Sequence, residues 1–389
     1  MAGIYVHIPF CRQACHYCNF YFSVSLASKN GFIGALLKEI VLQQTYLAGE
    51  TVDTLYFGGG TPSLLERADL SEIMAAIRTN FQVSPQAEIT LEANPDDISA
   101  EKLSGWKAVG INRLSIGIQS FIEKDLRWMN RAHNAEQARN CIALAQSAGF
   151  TNLSVDLIYG TPGLGDQEWQ ENVDAVIGMH IPHLSCYALT VETGTALDKM
   201  IAQHKREPAD PEQQARQFLQ LVDRLGDAGY EHYEISNFAR PGMRSRHNAA
   251  YWAGTRYLGL GPSAHSYNGR SRQWNVASNL RYGQELEKGI LPFESETLTL
   301  VQHLNEYIMT SLRTAEGLDT SRVEKLYGAG ATDQLEAGSA KYINNGHLTR
   351  KGSFLQLSRD GKLFADGIAA DLFFLPGTVP DDLPAAAGT

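Results

Sequence analysis

The stretch CRQACHYCNF (residues 11–20) places three of the chain's five cysteines within eight residues, spaced C-x3-C-x2-C. Five cysteines are too few and too clustered for a disulfide framework. They read as thiolates kept reduced for use as ligands, in a cytoplasmic compartment. Just upstream, GIYVHI (residues 3–8) alternates as a strand does, so the cysteines lie on a loop leaving a strand end. Three thiolates admit two readings. A structural zinc would want a fourth ligand, which His7 or His16 could supply. A [4Fe–4S] cluster is ordinarily held by four cysteines, so three leave one iron open to a chelating small molecule. The spacing favours the cluster, because zinc sites usually pair C-x2-C knuckles from separate hairpins.

Working outward, short apolar runs alternate with helical patterns. TLYF (54–57), EITLEANP (88–95), RLSIGIQS (113–120), LSVDLIYG (153–160) and HLSCYALT (183–190) read as strands. Helical patterns cover residues 31–47, 135–148 and 212–228. This order predicts an α/β fold with parallel strands, a full or partial (β/α) barrel over residues 1–290. Polar and glycine-rich residues gather where such strands end, which is where barrels place their chemistry. Near residue 293 the pattern changes. Helical segments at 297–313, 320–326 and 333–344 precede two short strands around RKGS and a last helix after Ser358. Residues 291–375 therefore read as a small helical, winged-helix-like unit. Its expected role is packing and partner recognition rather than DNA binding, since the formal net charge is -10. The Pro- and Ala-rich tail, 376–389, is expected to be disordered. No apolar run approaches the roughly 20 residues of a membrane span.

The C-x3-C-x2-C loop after a first strand, followed by GGGTP (58–62), resembles the radical S-adenosylmethionine (SAM) superfamily. IYVHIPFC, YFGGGTPSLL, TLEANP, RLSIGIQSF, DLIYGTPG and YEISNFA narrow the resemblance to one branch. That branch contains oxygen-independent coproporphyrinogen III oxidase and the heme chaperones of the HemW family. The resemblance runs from about residue 3 to residue 375 and implies a radical SAM partial barrel with a HemN-like C-terminal domain. It also implies a [4Fe–4S] cluster on Cys11, Cys15 and Cys18, SAM chelated at the open iron, and reductive cleavage of the sulfonium C–S bond to a 5′-deoxyadenosyl radical.

On that resemblance, Gly59, Gly60 and Thr61 meet the methionyl amino group, although a Gly-rich run alone is more often a tight turn. Glu92 can accept from an ammonium or a ribose hydroxyl; without the resemblance it would be a helix cap or a rim charge. Gln119 ends the fourth strand. The Arg131 fork suits the SAM carboxylate. Asp156 lies inside an apolar strand and needs a partner, which the resemblance supplies as ribose hydroxyls. Tyr17 covers the adenine, and Ala188 offers a backbone contact. Tyr5 matches a SAM-contacting tyrosine and equally suits a core strand position. Cys141 and Cys186 read as ordinary buried residues.

Three features separate the two members of the branch. The oxidase carries a further cysteine two residues after the third, where this chain has Phe20. The oxidase also has a segment ahead of its first strand, for which the sequence before Cys11 leaves no room. Finally, HNAAYW (247–252) fits the HNxxYW motif of the chaperones. A histidine imidazole is a common axial ligand of heme iron, so His247 is the first heme candidate and His265, in GLGPSAHSY, the second. The expectation is thus a heme chaperone carrying a cluster and SAM, with apo-hemoproteins as acceptors. Peripheral membrane contact and a heme-linked dimer are open options, nucleic acid is not an expected partner, and oxidase activity is the alternative.

Overall fold

The structure, a computed structural model, describes residues 2–377. From residue 378 onward, the expectation of a disordered tail lies outside the described residues. Six strands form the parallel part: β1 (Ala2–Ile8), β2 (Val52–Gly59), β3 (Val83–Ala93), β4 (Arg113–Gln119), β5 (Leu153–Tyr159) and β6 (His183–Ala188). Each is followed by at least one helix, the crossover that parallel neighbours require. A tight pair, β7 (Glu231–Glu234) and β8 (Asn237–Ala239), adds antiparallel to β6. On the other flank β9 (Arg256–Leu260) runs parallel to β1. An antiparallel meander continues from it: β10 (His265–Tyr267), β11 (Ser271–Asn275) and β12 (Phe293–Thr297).

The order β12-β11-β10-β9-β1-β2-β3-β4-β5-β6-β8-β7 has two ends, so the barrel is open. Residues 293–297, expected at the start of the C-terminal unit, instead pair with β11. The first helix, expected to reach residue 47, ends as Lys29–Leu42 and continues as turns.

The strands alternate, but not in the half-solvated manner of a surface sheet. Ile89 and Leu91, Leu114 and Ile116, Val155 and Leu157, and Leu184 and Cys186 face the helices and join one apolar core with Trp106, Ile142, Trp169 and Phe218. The intervening residues, Glu88, Thr90 and Glu92, Arg113 and Ser115, Ser154 and Asp156, His183 and Ser185, point the other way. Most of these polar side chains are also buried. The barrel interior is therefore a polar lumen, and its helix-facing side supplies the hydrophobic stabilisation.

The C-terminal unit has its own core of Val301, Leu304, Ile308, Leu318, Val323, Leu335 and Leu355 among others. A three-stranded sheet, ordered β13 (Leu318–Asp319), β15 (Phe354–Leu357) and β14 (Leu348–Lys351), stands beside the helices Leu300–Leu312, Thr320–Tyr327, Ala329–Asn344 and Ala365–Asp371. The turn between β14 and β15 is tight, and Gly352 takes the positive φ (62°) it requires. The unit docks on β7: Ile235 N donates to Arg313 O (3.1 Å) and Ala315 N to Tyr233 O (3.0 Å). Arg313 also reaches Glu234 (3.3 Å) and Asp366 (2.7 Å).

Candidate functional site

A cavity of about 450 Å³ opens at the C-terminal ends of β2 to β6. Cys11, Cys15, Cys18 and Tyr17 form one wall, and Gly59, Gly60 and Thr61 the next. Glu92, Gln119, Arg131, Asp156 and Ala188 complete it. Eight of the nine residues outside the loop named for SAM from sequence thus share one space with the three thiols; Tyr5 is the exception.

The cysteine loop is held from outside. Gln13 Nε2 donates to Asn130 O (3.0 Å), Asn130 Nδ2 to Ala14 O (2.7 Å), and His16 N to Met129 O (3.1 Å). The turn that clamps the loop also carries Arg131, so one short segment places both the thiols and the guanidinium. Arg131 donates to Gly117 O (2.7 Å), Asn94 Oδ1 (2.9 Å) and Cys15 Sγ (3.3 Å). Burial opposes its charge, but Tyr17 and Cys15 outweigh that and hold it firmly protonated. Thr61 Oγ1 donates to Cys11 Sγ (3.4 Å) and accepts from Asn94 Nδ2 (3.3 Å). Asn94 therefore ties the two sulfur-contacting residues together. The sequence marks it only as one of the polar residues, Glu92 to Asn94, that end the third strand, with no role of its own.

The glycines have a packing reason. Gly59 has φ +107°, and a Cβ there would lie 2.6 Å from the His7 ring. A Cβ on Gly60 would meet Phe10 O at 2.6 Å and Ile8 O at 2.8 Å. These residues let the β2 loop close on the end of β1, where the cysteine loop begins. Gln119 ends β4 with φ 66°, an uncommon value for a residue with a side chain, held here at the cavity wall.

Electrostatically the floor is unusual. Burial pushes Glu92 up to about 8, against the hydrogen bond from Tyr56 and with help from Asp156. Burial likewise lifts Asp156 to about 6, although Ser185, Arg113 and Ser115 favour its charge. Cys11 is pushed up to about 11 by burial, and Cys18 is raised for the same reason. These thiols are ligands in waiting rather than free thiolates: a cation must displace their protons.

Three free cysteines around a roomy polar cavity fit a cluster with one open iron. Among the described residues, no three His, Cys, Asp or Glu side chains are placed to share one ion. Of the two histidines that could complete a zinc site, His7 has both ring nitrogens engaged, with Tyr21 O (2.9 Å) and Tyr5 Oη (3.2 Å), and His16 pairs its Nδ1 with Trp128 O (3.0 Å).

Three expected residues lie elsewhere. Tyr5 stands behind the wall, stacked near Tyr56 (6.1 Å between centroids). His247 is buried at the opposite, N-terminal end of β2, on the helix Arg246–Trp252. Its Nδ1 shares a hydrogen bond with Thr54 Oγ1 (2.9 Å) and its Nε2 with Tyr251 Oη (3.1 Å). Burial, with Arg113 adding, lowers it to about 3. The expectation of His247 as an available heme ligand therefore meets no open ring nitrogen in this conformation. His265 is exposed on β10 and stacks on Trp274 (6.2 Å). Cys141 and Cys186 are buried, as expected.

The chain matches the family model of the radical SAM superfamily over residues 5–176 and that of the HemN C-terminal domain over residues 298–364. It is 37% identical over 376 residues to the heme chaperone HemW of Mycobacterium tuberculosis, covering 95% of this chain and 94% of that protein. The chain belongs to the heme chaperone HemW family of radical SAM proteins. HemW of Bacillus subtilis is 31% identical, with 95% and 98% covered. HemW of Escherichia coli is also 31% identical, with 94% and 96% covered. In fold, the chain superposes on the coproporphyrinogen III oxidase HemN of Escherichia coli, described as a radical SAM enzyme, with a TM-score of 0.82. That pair is 27% identical and covers 96% of this chain and 90% of the oxidase. Membership of the HemW family and the radical SAM superfamily implies a [4Fe–4S] cluster and SAM. Among the described residues no helix is long and apolar enough to cross a membrane.

Proposed function

We propose that this chain is a cytoplasmic heme chaperone, which binds heme and hands it to apo-hemoproteins, and that its barrel cavity holds a [4Fe–4S] cluster with SAM. The observation that carries the reading is the convergence of Cys11, Cys15 and Cys18 with Glu92, Gln119, Arg131 and Asp156 on one cavity. Phe20, 64% exposed at the cavity mouth, stands where the oxidase has its further cysteine.

In this reading the three cysteines would hold the cluster, which when bound supplies the electron for reductive cleavage of SAM. The chain's own residues bind and orient. Arg131, held charged, receives a carboxylate. Gly59, Gly60, Thr61 and Glu92 face an amino group. Near neutral pH Glu92 is poised between acid and carboxylate, so an incoming ammonium draws it to the charged form. Asp156 accepts from ribose hydroxyls, Tyr17 covers the base, and Gln119 and Ala188 line the remaining wall. His265, exposed on β10 beside Trp274, is the more accessible heme candidate. Ligation by His247 requires breaking its bonds to Thr54 or Tyr251. The C-terminal unit, which follows β12, packs against the barrel and recognises partners.

The test is heme titration by difference absorbance on anaerobically reconstituted protein, with His247→Ala and His265→Ala beside the wild type. Coproporphyrinogen III turnover is assayed in parallel. Saturable heme binding without decarboxylation supports the chaperone, and the variant that loses binding marks the ligand. Decarboxylation with no heme binding would sink the chaperone reading and put the oxidase in its place.

A further inference from the structure

One side chain touches both ends of the lumen. Tyr56, on β2, does not line the cavity, yet its hydroxyl donates to Glu92 Oε1 at 2.8 Å from behind the wall. Its ring stacks on His247, with centroids 4.9 Å apart and planes 24° apart. Tyr5 stacks on it from β1. His247 is held in turn by Thr54 and Tyr251, and its backbone N–H donates to Glu88 Oε1 (3.0 Å). The ring thus has no freedom to drift, and its hydroxyl is aimed at one carboxylate oxygen.

The first glycine of the GGGTP loop serves this contact. A Cβ on Gly58 would stand 2.8 Å from Tyr5 Cε2, 2.9 Å from Tyr56 Cε1 and 3.1 Å from Glu92 Oε1. The missing side chain is the space in which the Tyr56–Glu92 pair sits. Gly58 and Tyr56 are next-but-one on the same strand face, so the motif and the tyrosine form one device.

We propose that Tyr56 is a positioning residue for the SAM pocket: it fixes the Glu92 carboxylate from behind and anchors it to the HNAAYW helix through His247. The inference rests on the SAM reading of the cavity. A carboxylate buried beside Asp156 has few partners to orient it, and a wandering Glu92 would lose the directed hydrogen bond to the ligand. The phenol donates to Oε1 and the Gly59 N–H also bonds the carboxylate, which leaves its remaining lone pairs for the ligand.

The test is a SAM titration of the reconstituted holoprotein, followed by the change that SAM induces in the electron paramagnetic resonance signal of the reduced cluster. Four proteins are compared: wild type, Tyr56→Phe, Glu92→Gln and the double variant. Phenylalanine keeps the ring stack and removes only the hydroxyl. Tyr56→Phe is expected to raise the half-saturating SAM concentration roughly tenfold while reaching the same final spectrum, with the SAM-free signal unchanged. In the Glu92→Gln background the same change is expected to add nothing. Tyr56→Phe binding SAM like the wild type overturns the inference, as does a penalty that persists undiminished beside Glu92→Gln. A Glu92→Gln variant that binds SAM normally overturns the role given to Glu92, and a wild type that does not bind SAM overturns the pocket reading itself.

Discussion

Glu39 shows how a single side chain can hold three elements at once. It lies wholly buried on the helix Lys29–Leu42 and accepts from Asn275 Nδ2 (2.5 Å), Tyr282 Oη (2.6 Å) and Gly261 N (2.7 Å). Burial pushes it up to about 7, against all three donors. Because its folded value exceeds the ordinary 4.5, the folded state holds the proton more tightly than the unfolded chain does. The resulting stabilisation is complete below about pH 4.5 and is lost as pH rises through about 7. Wild type is therefore expected to lose about 2 kcal/mol relative to Glu39→Gln between about pH 5.5 and pH 8. Urea unfolding of both proteins at the two pH values measures it, and a constant gap would contradict it. In the sequence this acid sits in KEIVL, where it reads as an ordinary helix-face charge. Its partners come from more than 200 positions away, so no local pattern could expose it. That Cys11, Cys15 and Cys18 would stand together was legible for the opposite reason, since their spacing is written in adjacent residues.

At the scale of elements, the cysteine loop and the parallel strands β1 to β6 could be read because each is short, apolar and followed by a helical pattern. The meander β10 to β12 could not. HSY is three residues long, and FESET on β12 is exposed along its whole length, so neither carries a burial signal. The helix Arg246–Trp252 was visible as a motif, but its depth was not. That depth comes from Glu88, whose carboxylate accepts the Arg246 and His247 N–H groups (3.1 and 3.0 Å) and draws the helix onto the lumen.

Two glycines make an element-scale prediction. Gly60→Ala drives a methyl into the backbone oxygens of Phe10 and Ile8 and displaces the start of the cysteine loop. Iron and sulfide content after reconstitution should fall by more than half, in proportion to the disturbed loop. Gly31→Ala, in the helix Lys29–Leu42 with open space around it, should retain full iron and gain roughly 0.5–1 kcal/mol in thermal unfolding.

On the scale of the whole molecule, the open sheet has two unlike edges. The β7 edge is covered by the C-terminal unit, and Arg313 is the pivot of that contact. It spans Glu234 and Asp366, and its guanidinium lies 5.2 Å above the Trp252 ring of the HNAAYW helix. Glu234 is 2% exposed; without the arginine it keeps the Ser236 N and Asn237 Nδ2 donors on Oε2 but loses the cation paired with Oε1. Arg313→Ala is expected to cost about 3 kcal/mol and to speed proteolysis near residue 298, where the two units join. Limited proteolysis with mass mapping reads this directly, and an unchanged cleavage rate would rule out the pivot. The change of pattern near residue 293 raised the expectation of a second unit, whereas the route of β7 and β8 to the sheet edge left no such mark in the sequence.

The position of β1 has a consequence in time. Val6 is the register partner of both Phe57 and Leu260, so β1 lies between β2 and β9 in the middle of the sheet. A ribosome delivers Leu260 roughly 250 residues after Val6, on the order of 10–50 s later at roughly 5–20 residues per second. During that interval one edge of β1, with the cysteine loop at its end, has no neighbouring strand. The nascent chain must therefore carry an unsealed, thiol-bearing edge through most of its synthesis, a window in which a chaperone or an iron–sulfur donor would find it open.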